Sequence, residues 1–214
     1  MLAVLGGFTG IDAVSCVQAM VGRPIVAGPL AGLVLGDPIA GMWVGVLLEI
    51  LSLHQLPVGA SRGWDTGPAA VAGAVVATTT PAGPAALLLA TGYGVLVGWV
   101  GSWTVHLLRR FNARLVADVG DGIPSSAGLA WRHLTAVALD LLRAAALTLS
   151  AIWLYTRLPI DLEGVPVVAA ASLLLVTASL AAGVAVRMMA RGRRVWTAFG
   201  FAAGLSGIIV LWLG

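Results

Sequence analysis

The stretch Arg23–Asp37, RPIVAGPLAGLVLGD, runs directly into Pro38–Leu53, PIAGMWVGVLLEILSL. Both pieces are apolar, and both are short. Residues 24–36 as a helix reach about 20 Å at 1.5 Å per residue, whereas the hydrocarbon core of a bilayer is about 30 Å thick. Pro24, Pro29 and Pro38 interrupt the run, and Gly28, Gly32, Gly36, Gly41 and Gly45 recur through it. Two short Gly/Pro-broken apolar segments joined at Gly36-Asp37-Pro38 predict a helical hairpin that dips into a membrane and turns back. A single kinked helix over 24–53 is the competing reading. In transporters, such broken helices mark substrate sites, because non-helical backbone at that depth must be covered by protein or line a cavity.

The rest of the chain supports a membrane setting. Of 214 residues, 59% are apolar and 10% are charged, where a soluble domain carries roughly 25% charged residues. The mean hydropathy of +1.00 leaves no room for a sizeable soluble module. We therefore expect one all-α integral membrane domain over 1–214, with about five to seven membrane helices plus the hairpin. Within it, 1–80 forms a broken-helix region and 81–214 the spanning helices.

Spanning segments are expected at 85–108, 133–156, 166–186 and 195–213. Residues 1–20 form a further candidate, interrupted by Asp12 and Gln18. A short half-element is expected at 69–80, up to Pro81 and Pro84. The N-terminus opens directly on apolar residues without a basic region and does not resemble a cleaved signal.

All twelve basic residues are Arg, and the formal net charge is +3. In an apolar chain this reports topology, not a nucleic-acid partner. Arg109, Arg110 and Arg114 follow the first span, and Arg187, Arg191, Arg193 and Arg194 follow the third. The loop between carries Asp161 and Glu163 with one basic residue, Arg157. By the positive-inside rule, loops 109–132 and 187–194 are cytoplasmic, and 157–165 and the C-terminus are outside.

Asp140 and Arg143 share a helical face. They are expected to neutralise each other inside the bundle or to lie in an interfacial segment before the true span, with a gating or partner contact as the alternative. Cys16, the only cysteine, is expected to be buried and inert. The hydroxyls of Thr78, Thr79 and Thr80 are expected to bond back along their helix.

Glu49 has no Arg or Lys within twelve positions. A carboxylate in such an apolar run must reach water, find a partner or hold a proton. The most polar stretch of this half follows it: His54, Gln55, Ser61, Arg62, Trp64, Asp65 and Thr66 lie close together in sequence. A sugar site needs carboxylates and amides to accept hydroxyl hydrogens, and an aromatic face for the C–H side of the ring. Glu49, His54, Gln55, Trp64 and Asp65 supply these types. The same set also suits a cation or a proton. No metal-ligand spacing, phosphate loop, hydrolase elbow or dinucleotide fingerprint is present, so no metal, cofactor or catalytic residue is expected.

Arg23 through Pro38 closely resembles the RPLVAGPLVGLILGD signature of the IIC subunit of the mannose/fructose/sorbose class of bacterial phosphotransferase systems. Gly41, Gly45, Leu48 and Glu49 fit the family's G…G…LE segment, and Pro57-Val58-Gly59-Ala60 fits its VGA element. Asp65 falls where the family has the Asp of a Pro-Pro-Asp motif. The resemblance is strong over about 20–75.

It implies a subunit of the bacterial inner membrane that, with a IID subunit, passes a hexose-type sugar. A phosphohistidine on IIB would phosphorylate that sugar at the cytoplasmic face. IIB is recharged through IIA, ultimately from phosphoenolpyruvate. The subunit is then not itself an enzyme, and it works in a multi-copy complex. Glu49 and Asp65 become sugar or site-shaping residues, joined by Asp12 and Gln18 upstream, while Arg23, Pro24, Gly36 and Asp37 shape the hairpin. The chain departs from the pattern where Gly63-Trp64 replaces Pro-Pro, and where His54 replaces a common Gly. A diverged channel or exporter, or a non-transporting scaffold for phosphotransferase regulators, remains an alternative.

Overall fold

Proline and glycine set the first helix boundaries. In the computed structural model, which describes residues 1–16, 18–53, 55, 63–117, 126–189 and 195–213, helix α2 (Pro24–Leu35) starts on a proline at its first turn. There the missing N–H costs nothing. It ends at Gly36, whose φ of 89° is a left-handed C-cap. Pro38 opens α3 (Pro38–Ser52), and the Asp37 carboxylate caps it by accepting the Ala40 N–H at 2.9 Å. The expected hairpin is therefore present. Pro29, expected to break the run, instead lies inside a continuous α2.

Eight helices are described, all apolar. The others are α1 (Leu2–Val14), α4 (Thr66–Thr79), α5 (Pro84–Ala117), α6 (Ser126–Tyr155), α7 (Val167–Met189) and α8 (Val195–Leu213). Four helices among the described residues, α5 to α8, are long and apolar enough to cross a membrane, close to the segments expected from sequence. The other four are short. A single span over 1–20 does not form, because α1 ends at Val14 and covers only about 20 Å.

Helix α4 is the centre of the bundle. Every residue from Gly67 to Ala77 is buried, as expected of a helix that is apolar all round. Helices α1, α2, α3, α5 and α6 surround it. The hairpin arms touch backbone to backbone: a Cβ on Gly28 would lie 2.5 Å from the Gly41 carbonyl oxygen. Such small-residue contacts replace the hydrophobic drive that lipid cannot provide. Helices α7 and α8 use the same device at Gly183 and Gly200.

The threonine run behaves as expected. Thr78 and Thr79 donate to the Ala74 and Val75 carbonyls at 2.9 and 2.6 Å, and Thr80 donates to that of Val76. Cys16 is half-buried, not buried as expected; it stands beyond the end of α1, where the helix no longer covers it.

Direction follows from the contacts. Gly6 faces Thr148 and Gly10 faces Ala144, so α1 runs antiparallel to α6. Gly73 meets Val44 and the Ala90 carbonyl, while Gly94 meets Leu48 and the Ala69 carbonyl. The hairpin tip at Gly36-Asp37 thus points to the same end as the turn between α4 and α5. All four short helices run between that end and one interior level.

Candidate functional site

At that interior level the C-terminal ends of α1 and α3 meet the N-terminal ends of α2 and α4. The carboxylates Asp12, Glu49 and Asp65 lie here. Glu49, in the last turn of α3, is buried. Its carboxylate pairs with the guanidinium of Arg23, the N-cap of α2. It also accepts the Ile25 N–H at 3.4 Å, one of the donors left unbonded at a helix start. The positive end of the α2 dipole adds to the stabilisation. Of the three fates open to Glu49 in the sequence, the structure selects pairing. The signal was present: Arg23 lies thirteen residues before Gly36 and Glu49 twelve after Asp37, so a hairpin turning there brings them level.

Asp65 belongs to a second group. Its side chain is fully buried, and its Oδ2 accepts from Arg143 Nη1 at 2.6 Å. The same Nη1 donates to the Thr104 hydroxyl at 2.8 Å, and Arg143 Nε donates to Asp140 Oδ1 at 2.8 Å. The Ser15 hydroxyl donates to the other Asp140 oxygen. The Asp65 N–H donates to the Gly98 carbonyl at 3.0 Å. Four helices are thereby joined by one guanidinium and its partners. Asp140 and Arg143 do neutralise each other inside the bundle, and Asp65 is an additional partner that local spacing did not suggest. Asp65 Oδ1 and Arg143 Nη2 keep no hydrogen-bond partner among the described residues.

The remaining sequence-selected residues separate into different roles. Asp12 is buried and accepts the N–H groups of Ala19 and Gly22 at 2.7 and 2.9 Å, so it organises the turn before α2. The Gly22 carbonyl in turn accepts from Thr66 at 3.0 Å. Gln18 is exposed on that turn, at a left-handed φ of 52°. The Gln55 side-chain oxygen accepts the Trp64 N–H at 2.5 Å. Trp64 lines a cavity with Trp99, Ser102, Trp103 and His106 of α5. His54 and the 56–62 stretch, with the expected Pro57–Ala60 element, lie outside the described residues. Among the described residues, no group of three or more His, Cys, Asp or Glu side chains is placed to hold a metal.

Chemically, the level offers two carboxylate–guanidinium groups and backbone N–H groups at helix starts, in an apolar surround. This is the arrangement of a polytopic membrane protein whose broken helices meet at a polar centre. A family model described as "PTS system sorbose-specific iic component" matches residues 1–203, and the chain belongs to that family. It is 30% identical over 154 residues to the protein named "Fructose permease IIC component" of Bacillus subtilis (strain 168), covering 70% of this chain and 55% of that protein. The chain thus spans about half the length of the curated relative it matches. A solved structure described as "Structure of membrane protein" shares the fold, with a TM-score of 0.69 at 18% identity, over 88% of this chain and 77% of that one.

Proposed function

We propose that this chain is the membrane-translocating IIC subunit of a phosphoenolpyruvate-dependent sugar phosphotransferase system. It binds a hexose-type sugar and presents it for phosphorylation by a IIB protein. The observation that carries this reading is the Arg23–Glu49 pair at the level where four half-length helices end. A neutral ion pair offers both donors and acceptors to hydroxyl groups without attracting an ion of either sign, which suits an uncharged polyol. Helix ends at the same level provide further backbone N–H groups. Membership of the IIC family, and the name of the Bacillus relative, support a sugar as the substrate.

In this reading the chain is a transport subunit, and the phosphoryl group travels from IIA to IIB to sugar. A IID membrane subunit completes the passage in a multi-copy complex of the bacterial inner membrane. Glu49 contacts the sugar, and Asp12, Asp65 and Gln55 hold the site's walls. The test is phosphoenolpyruvate-dependent sugar uptake by vesicles containing the complete system. Glu49→Gln is expected to impair uptake; unchanged uptake at equal expression removes Glu49 from the site.

A further inference from the structure

Trp64 occupies the position where the family pattern has proline, and its surroundings are built rather than incidental. The Gln55 side chain holds its backbone N–H at 2.5 Å, and the next N–H, that of Asp65, is bonded to the Gly98 carbonyl at 3.0 Å. A Cβ on Gly98 would lie 3.3 Å from the Trp64 Cβ, so the glycine lets this segment seat closely on α5. Trp64 lines a cavity of about 150 Å³ together with Trp99, Ser102, Trp103 and His106. The Trp99 and Trp103 rings, one helical turn apart, meet edge to face with centroids 6.1 Å apart. Both are about half exposed, at 54% and 53%.

The lining selects a chemical class. It contains no carboxylate and no guanidinium, so nothing in it clamps an anion or ligates a metal. Three tryptophans bring apolar ring surface to it, and Ser102 and His106 bring a hydroxyl and an imidazole. A pyranose or furanose ring has this division, with C–H faces and hydroxyl edges. A quaternary ammonium would also be attracted to the indole faces, but it has no use for the hydroxyl and imidazole. The volume is below the roughly 300 Å³ at which pockets for drug-sized ligands begin, which fits a monosaccharide.

Position gives the cavity a role. From Gly98 to His106, α5 runs about 12 Å away from the hairpin tip, toward Arg109, Arg110 and Arg114. That is the end the positive-inside rule assigns to the cytoplasm. We propose that Trp64, Trp99, Ser102, Trp103 and His106 form an exit subsite that receives the sugar after it passes the Glu49 level and holds it where it is phosphorylated. This rests on the sugar-translocating reading above.

The test uses inside-out vesicles carrying the complete system, with fructose, sorbose or mannose supplied at the cytoplasmic face, and tryptophan fluorescence of the purified full chain. Trp99→Leu/Trp103→Leu is expected to raise the KM for phosphorylation about fivefold with kcat little changed, and to abolish sugar-induced quenching. Trp99→Phe/Trp103→Phe, which keeps ring faces, is expected to restore the KM to within about twofold of wild type. Ser102→Ala removes one hydroxyl without opening the packing and is expected to raise the KM about threefold. An unchanged KM in both the Leu and Ser102→Ala variants, with wild-type phosphorylation intact, overturns the subsite and leaves the transport reading standing. Quenching by choline and not by any of the three sugars also overturns it. Absence of phosphorylation of every sugar by the wild type overturns both.

Discussion

Arg23 and Glu49, at the bases of opposite arms of the α2–α3 hairpin, close its open end with an ion pair. The tip is closed by backbone, through Gly36 and the Asp37 cap. The base has no such covalent constraint, and the ion pair holds it non-covalently. Glu49 is the more buried partner, with its side chain 11% exposed against 41% for Arg23. Losing Arg23 therefore leaves a buried carboxylate uncompensated, which is costlier than losing both charges together.

A double-mutant cycle measures this coupling. Arg23→Gln is expected to destabilise the purified protein by about 1–3 kcal/mol, and Arg23→Gln/Glu49→Gln by less than the sum of the single changes. Thermal unfolding in detergent provides the readout. Additive effects would show that the two side chains do not interact.

Arg143 is expected to be the least replaceable charged residue of the described core. It holds Asp65 and Asp140, both with fully buried side chains. Arg143→Met leaves two carboxylates buried without a cation, at a cost of about 3–5 kcal/mol or more. We expect little folded protein by size-exclusion chromatography. Adding Asp65→Asn and Asp140→Asn to Arg143→Met is expected to recover part of the yield. No recovery would contradict the charge explanation.

The hairpin's backbone contact is tested by volume. A Cβ on Gly28 would lie 2.5 Å from the Gly41 carbonyl oxygen, whereas one on Gly92 meets nothing within 4 Å. Gly28→Val is expected to separate α2 from α3 and cost about 1–3 kcal/mol. Gly92→Ala is expected to be neutral or slightly stabilising, since alanine favours helix. Equal melting temperatures for the two variants would refute the close approach of the arms.

Orientation is tested by labelling. A cysteine at Glu163, in a Cys16→Ser background, is expected to react with an impermeant thiol reagent added outside intact cells. The positive-inside reading of the Arg-rich loops requires it. Labelling only from the cytoplasmic side would invert the topology.

The readable parts of this protein are those whose physics is local. Apolar runs of spanning length place α7 and α8 to within a few residues, because hydropathy and length decide them; α5 continues nine residues past the expected 108 and α6 starts seven before the expected 133, where polar residues extend the helix beyond the apolar run. The Gly36-Asp37-Pro38 turn is legible because each residue has a distinct backbone role there. Pro29 shows the limit: a proline weakens a helix, yet packing of α2 on α3 and α4 carries the helix through it. Residues 1–20 show another, since an apolar run does not reveal that Asp12 will turn back to bind the 19–22 backbone.

The sequence by itself determined that the chain is an all-helical membrane protein with a broken-helix N-terminal third, and it singled out Glu49 and Asp65 as carboxylates in need of an explanation. The hairpin turn already brings Arg23 level with Glu49, whereas the partner of Asp65 was decided only by the tertiary structure. Glu49 meets Arg23 across the hairpin, and Asp65 meets Arg143 from 78 positions away. It also brought Trp64 to one cavity with Trp99 and Trp103. The reason is that helix formation depends on neighbours in sequence, whereas a buried charge is satisfied by whatever cation the packing of separate helices brings within hydrogen-bond reach.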